Sequence, residues 1–440
     1  MTYEIILGRD DTEKKKFGLS GSIFLGKHYV KMGQTTALSQ LVYLDINKAH
    51  VVFVCGKRGS GKSYSLGVIA EGIAAQPQEI RKKLSVILLD TMGIYWTMKY
   101  PNNKEEQLLK EWNSAASAVP IKIFTPAGFH EQYKAQKIPT DAPFSIHPAE
   151  FSPEDWAITF ELQSTEPIAV FIERIILSLK EKSLAFGIDE ILDEIRKDTS
   201  EDAHTRNAAE NRFLTASRWG IFDVNATPLR NLAAPGQITV LDLSAYALMP
   251  NGWKIKHLIM GIVCNKLFLD RMAVRKQEEY ATIHKRIHFM QEHDESTENS
   301  MPIVWLLIDE AHEFLPLKGK TAASEALITL LREGRQPGVA LVLATQQPGK
   351  IHTDAMTQSD VILAHRLTAK IDTDALGSLM QSYLRQGLDG ELNNLPRVPG
   401  ACLAMDDVNE RIYPMRVRPR QSWHGGEAPG VLQDEQKLFE

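Results

Sequence analysis

The chain is poor in three features, and each absence removes a class of protein. It has only 3 cysteines in 440 residues. Cys55, Cys264 and Cys402 are scattered with no CxxC pair, so neither a disulfide framework nor a zinc site is expected. Cys55 and Cys402 fall in apolar, strand-like runs and read as small core residues. No uninterrupted apolar stretch is long enough to cross a bilayer. The opening, MTYEIILGRDDTEKKK, lacks the apolar segment of a secretory signal, so a cytosolic (cytoplasmic) protein is expected. Basic excess is missing too: 50 Lys and Arg against 55 Asp and Glu leave a net charge of −5. A compact monomeric DNA binder usually carries a basic footprint. Any DNA contact here must therefore come from a few local loops, repeated around an assembly. The rest of the composition, 43% hydrophobic and 24% charged, is that of an ordinary globular protein.

The richest stretch runs from Val51 to Ser63, VVFVCGKRGSGKS. A β-branched apolar run ends at Cys55, and Gly56-x-x-x-x-Gly61-Lys62-Ser63 follows at once. SLGVIAEGIAA then carries apolar residues at helical spacing. In a chain of this length the bare pattern arises by accident roughly one or two times in a hundred. The strand before it and the helix after it reduce the alternative, a merely connecting glycine-rich turn, to a minor one. The main-chain N–H groups of Gly56, Lys57, Arg58, Gly59, Ser60 and Gly61 would form an anion nest at a helix N-terminus. Lys62 would reach the β- and γ-phosphates, Ser63 would hold Mg²⁺, and Tyr64 closes the nucleotide-binding stretch. ATP and Mg²⁺ are the expected ligands.

A second diagnostic run, IVWLLI from Ile303, ends in Asp309 and Glu310. Two acids after a buried strand are common by accident. Downstream of a phosphate loop they read as a Walker B motif, with Asp309 facing Mg²⁺ through water and Glu310 polarising the attacking water. The strand VALVLAT then ends at Gln346, Gln347 and Pro348. At the tip of a strand beside Walker B, Gln346 would lie near the γ-phosphate as a sensor; the alternative is an ordinary loop.

Alternating strands and helices with parallel-type apolar strands predict an α/β fold. Residues 1–45 form a small β-rich N-terminal module, a reduced barrel, or edge strands of the main sheet. The first part of the core occupies 46–147, and a helical insertion 148–230 opens with Ser152 as N-cap and Pro153 at the first helical position. The second part of the core spans 231–425, and 426–440 is a polar tail. Within the core a long helix runs from about Lys254 to Lys276, and a charge-dense mobile loop ends near Ser300.

Several stretches together resemble the HerA/FtsK group of hexameric, RecA-like DNA-pumping ATPases, and HerA most. They are FLGK (24–27), NKAHVVFVCGKRGSGKS, LLIDEAHEFLP, LREGRQPGVALVLATQQP (331–348), AHRLTAKIDTDAL and YPMRVRPR…WHGG. The resemblance covers about residues 20 to 425, and the REGRxxG…TQQP run is far more specific than either Walker motif. It implies a RecA-like P-loop NTPase core and a homo-oligomeric hexameric ring on double-stranded DNA. It also implies ATP-driven translocation and a nuclease partner such as NurA, or another effector, in antiviral defence or DNA-end processing. The sequence departs from the family in two places: a shorter N-terminal β region, and Ile94 where the family's Asp-x-x-Gly-Glu-Tyr has its acid.

An arginine from a neighbouring subunit supplies much of the rate in such enzymes. Arg366, in the family's HRL segment, is the first choice and Arg335, in the REGR run, the second; a surface salt bridge is the alternative for each. Lys99, Lys104, Lys134 and Lys137, in the polar loops after the second and third core strands, are the candidate pore contacts. A ring scaffold that gates an effector with little pumping, and a conjugation-type coupling ATPase, share the same motifs. The second is disfavoured by the missing membrane segment.

Overall fold

The computed structural model describes residues 4–426 apart from 33–34, 184, 289–300 and 380–387. The mobile loop expected before Ser300 and nearly all of the polar tail lie outside the described residues. Strands are numbered β1 (Ile5–Leu7), β2 (Ser22–Met32), β3 (Thr35–Asp45), β4 (Val51–Cys55), β5 (Leu84–Asp90), β6 (Ile121–Pro126) and β7 (Ala142–Phe144). The second half adds β8 (Ile238–Asp242), β9 (Ile303–Ile308), β10 (Val339–Thr345), β11 (Val361–His365), β12 (Ala401–Asp406) and β13 (Arg411–Val417).

All of these strands join one sheet in the order β1-β3-β2-β13-β12-β11-β4-β10-β9-β5-β8-β6-β7. From β11 to β7 every pairing is parallel. The α/β class and the mainly parallel core are as the apolar runs predict. Beyond β11 the pairing turns antiparallel through β12, β13, β2 and β3, so residues 1–45 extend the same sheet. One segment there departs from the expected turns. DTEKKKF forms a helix, Asp11–Phe17, because Asp10 caps it through Glu13 N at 2.8 Å and its charges suit the helix dipole.

Strands buried on both faces read as near-continuous apolar runs, and β4, β5, β8 and β10 are buried end to end. Alternate side chains feed two cores. Val52 and Val54 face the phosphate-loop helix α1 (Lys62–Ala74), together with Ile23, Leu25 and Val42 of the N-terminal strands. Val51, Phe53 and Cys55 face the other side. Packed there are helices α2 (Pro167–Lys182), α3 (Ile188–Lys197) and α4 (Ala203–Ser217) of the 148–230 region, with α5 (Gly252–His288) and α6 (Ser324–Glu333). Cys55, Cys264 and Cys402 are all buried free thiols.

The helix Pro153–Thr159 has the capping box that Ser152 announces, closed reciprocally by Asp155. The long helix runs further than expected, to His288, because its charge-dense end EEYATIHKRIH keeps helical propensity and internal pairs such as Arg275–Glu279 at 3.0 Å. The expected loop after β6 is also a helix, Ala127–Ala135, with Lys134 paired to Glu131 at 3.1 Å. Among the described residues no helix is long and apolar enough to cross a membrane.

Candidate nucleotide-binding site

In a parallel sheet the loops after the strands' carboxyl ends gather on one edge. The loop after β4 is stitched to both neighbours: Gly56 N donates to Thr345 O at 3.3 Å and Lys57 N to Arg366 O at 3.0 Å. A Cβ on Gly56 would lie 2.5 Å from Ser60 Oγ, and Gly61 caps α1 at φ 108, so both positions require glycine. The loop is thereby curled, with Lys62 at the first turn of α1. Lys62 is 5% exposed, and its Nζ donates to Lys57 O at 3.2 Å. Burial pulls its pKa below that of an ordinary lysine, against the opposing charges of Glu310 and Asp309.

Strand β9, two places along the sheet, ends in the acids. Glu310 N donates to Asp309 Oδ1 at 2.9 Å, and Glu310 takes a left-handed backbone at φ 50. A non-glycine residue in that region is a strained choice of the kind found at functional sites. Gln346, at the tip of the intervening β10, donates its Nε2 to Glu310 Oε1. The other oxygen, Oε2, is buried with no hydrogen-bond partner. Burial pushes the Glu310 carboxyl above the usual range, the Gln346 hydrogen bond pulling the other way. His312, whose Nδ1 lies 3.6 Å from that same Oε2, is tied to Thr345 Oγ1 at 3.0 Å.

Sequence reasoning missed Tyr95. Asp90, at the end of β5, accepts from the main-chain N–H groups of Met92, Gly93 and Tyr95 at 3.2, 2.7 and 2.8 Å. That turn directs the Tyr95 hydroxyl to Asp309 Oδ2 at 3.2 Å. Burial and the neighbouring Asp242 raise Asp90 to about 7. The only sequence signal was the Asp-x-x-Gly-x-Tyr spacing.

Lys62, Ser63, Asp309, Glu310 and Gln346, together with Arg58, Gly59, Gly61 and Tyr64, line one cavity of about 960 Å³. Gly56, Lys57 and Ser60 shape the loop behind it, and Ser60 Oγ is buried without a partner. Orphaned donors and acceptors beside a desolvated lysine fit a polyphosphate with its metal. Among the described residues no cluster of three or more His, Cys, Asp or Glu side chains is set to hold a metal. Ser63 and Asp309, the pair expected from the sequence to face a metal, both line the cavity.

The two arginines part company. Arg366 sits beside this loop and supports it through its main-chain carbonyl. Arg335 precedes β10, at the opposite edge of the sheet, where its Nη1 lies 3.8 Å from Asp360 Oδ2. Lys104 lines the same cavity as Lys62, and Lys99 pairs with Asp141 at 2.6 Å. Lys137 closes the helix Ala127–Ala135 at φ 59.

A parallel sheet with a phosphate loop after one strand and paired acids two strands away defines a RecA-like P-loop NTPase. The family model for the central domain of helicase HerA matches residues 23–252, more than half of the chain, and the chain belongs to that family. It is 28% identical over 225 residues to the DNA double-strand break repair helicase HerA of Pyrococcus furiosus, covering 47% of this chain and 40% of the relative. It is 21% identical over 344 residues to a probable DNA double-strand break repair helicase HerA of Methanocaldococcus jannaschii, covering 72% of this chain and 62% of the relative. The match thus spans less than two thirds of either relative's length. The structure of VirB4 of Thermoanaerobacter pseudethanolicus superimposes with a TM-score of 0.53 at 12% identity, over 94% of this chain and 98% of that one; the likeness is one of fold.

Proposed function

We propose that the protein is an ATP-hydrolysing, ring-forming motor that moves on double-stranded DNA and works with a nuclease or other effector partner. The observation that carries this reading is the convergence of Lys62, Ser63, Asp309, Glu310 and Gln346 on one cavity in a chain of the HerA family. Lys62 neutralises phosphate charge from a desolvated position, where a fixed positive charge acts more strongly than in water. Glu310 orients and polarises water through its unpartnered oxygen, while Gln346 holds the other oxygen and reports its state to β10. Mg²⁺, when bound by Ser63 and Asp309, would offset the charge that develops on the phosphate oxygens. The subunits form a homo-oligomer, a hexameric ring in this reading, and an arginine from one subunit completes the site of the next.

The test uses the purified chain with linear double-stranded DNA. DNA-stimulated ATP hydrolysis, together with displacement of a third strand from a triplex, supports the motor. Hydrolysis that DNA leaves unchanged, with no displacement, supports an ATP-dependent scaffold for an effector.

A further inference from the structure

The nucleotide cavity extends well beyond the phosphate loop, and its two ends differ in chemistry. Near Lys62, Ser63, Asp309 and Glu310 it is charged. Beyond them its lining brings in the apolar or aromatic Met92, Ile94, Leu108, Pro419, Trp423 and His424, alongside the charged Lys104, Glu105, Arg416 and Arg418. Pro419, Trp423 and His424 belong to a strap, residues 418–424, that follows β13 and lies across α1.

The strap is bound with unusual density. Glu71 of α1 is 2% exposed, and Oε2 accepts from Arg418 Nη1 at 2.8 Å and Gln421 N at 3.1 Å. Its Oε1 accepts from Arg420 Nε at 3.2 Å and from the Ser422 main chain and hydroxyl at 3.0 and 2.6 Å. The Arg420 guanidinium lies on Gly67, where a Cβ would come within 2.6 Å of its Cζ. The other flank is tied to the segment after β5. Trp423 N donates to Tyr100 O at 2.8 Å, Thr97 Oγ1 donates to Trp423 O at 3.0 Å, and Asn102 N donates to Gln421 O at 2.8 Å. Trp423 is pinned at both its N–H and its carbonyl and is still 38% exposed at the cavity. The His424 ring beside it meets the Tyr64 ring edge-on, with centroids 5.3 Å apart.

A fully anchored backbone that leaves a large aromatic side chain uncovered at a cavity is a preformed stacking surface. Purine bases have the matching flat face, and stacking tolerates any orientation within the plane. We propose that the strap is the nucleobase wall of the nucleotide site, with Trp423 as the stacking residue and Glu71 as the buried anchor that sets it. This rests on the reading of the cavity as the nucleotide site, and it adds which end of the nucleotide each half takes. Glu71 makes a durable anchor because the two arginines and Ser422 outweigh the effect of burial. They hold its carboxyl below the ordinary range, so it stays ionised.

The test compares two probes by titration calorimetry of the full chain with Mg²⁺: the non-hydrolysed analogue adenylyl imidodiphosphate and inorganic tripolyphosphate. Trp423→Ala is expected to weaken the analogue about tenfold and leave tripolyphosphate unchanged, and Trp423→Phe to restore most of the loss. Unchanged tripolyphosphate affinity also shows that the pocket is intact. Equal losses for both probes, or no loss for either, overturn the base wall. Lys62→Ala separates this from the underlying reading: it should weaken both probes. If it weakens neither, the phosphate-loop assignment fails and takes the base wall with it.

Discussion

The Tyr95 hydroxyl donates to Oδ2 of Asp309 at 3.2 Å and lies 3.4 Å from the main-chain carbonyl of Ser63. One buried phenol thus touches both the Ser63 and the Asp309 segments, which the proposed function assigns to the metal. Burial, with Asp309 and Asp90 nearby, raises its pKa well above the ordinary value, so it remains a donor at any working pH. Tyr95 is therefore a positioning residue, acting through Asp309. Tyr95→Phe should raise the Mg²⁺ concentration for half-maximal ATPase by roughly tenfold, with kcat at saturating Mg²⁺ falling much less. A lower kcat at unchanged Mg²⁺ dependence would give Tyr95 a different role.

The two halves of the site should fail differently. Lys62→Ala removes the main side-chain partner of the phosphates and should abolish hydrolysis by weakening binding. Glu310→Gln keeps shape and the neighbouring Gln346, and removes only the carboxylate, so nucleotide binding and assembly should survive while turnover stops. Near-normal turnover in either purified variant shifts that role to another residue.

Turnover should also show a narrowed pH plateau. Burial raises Glu310, so its working carboxylate is lost as pH falls through a value above the ordinary glutamate pKa of about 4.3. Burial lowers Lys62, so its ammonium is lost as pH rises through a value below the ordinary lysine figure of about 10.4. The pH profile of kcat/KM for ATP reads both limbs. An acid limb at or below about pH 4 would show that the carboxylate responsible is a solvated one.

Parallel strands on both sides of the phosphate loop were legible because a strand buried on two faces is built mostly from apolar residues. Val51–Cys55 and Ile303–Ile308 satisfy that without exception in kind. The residues at the strand tips, Lys62, Asp309, Glu310 and Gln346, were legible because their place follows from the register of those strands. The strap was not. Its contacts to Glu71 join residues about 350 positions apart, as the Gln421 bond does, and no local pattern announces such a pairing. Tyr95 was hidden for a similar reason: the turn around Asp90 aims it at a strand more than 200 positions away, as its sequence separation from Asp309 shows. The helix Asp11–Phe17 was overlooked because it buries none of its residues and so has no apolar stripe to read.

A buried charged network joins the N-terminal strands to the start of β4. His50 Nε2 lies 2.8 Å from Asp45 Oδ2 and Nδ1 2.6 Å from Asp360 Oδ2, while Arg9 Nε donates to Asp45 Oδ1 at 2.7 Å. Burial pulls His50 down, but the two carboxylates more than offset it and raise it to about 9. A raised folded pKa means the stabilisation is full below the unfolded value of about 6.5 and declines as pH rises. It is gone above about 9. Chemical denaturation at about pH 6 and about pH 9.5 should therefore show a loss on the order of 3 kcal/mol. In His50→Gln the loss should be much smaller, and an equal loss would place the titrating group elsewhere.

In the proposed ring either Arg335 or Arg366 would complete a neighbour's site, and the two sit at different places on the sheet. The main-chain carbonyl of Arg366 accepts from Lys57 N of its own phosphate loop, a contact that Arg366→Ala leaves in place. Arg335 lies beyond the start of β10 at the other edge of the sheet, roughly 20 Å from its own Lys62 for strands of this length. Its side chain is 43% exposed, and its Nη1 lies a long 3.8 Å from Asp360 Oδ2. A residue that cannot reach its own site and is open to solvent is the better donor to a neighbour's. Arg335→Ala and Lys62→Ala should each be inactive alone. In a mixed ring some interfaces join a sound Lys62 pocket to a sound Arg335 from the next subunit, and ATPase should partly return. The same mixture made with Arg366→Ala gives the comparison. If Arg366 is instead the group acting in trans, that mixture recovers and Arg335→Ala keeps its activity when tested alone. Subunit exchange is verified with labelled chains, so silence in both mixtures would mean that neither arginine works across the boundary.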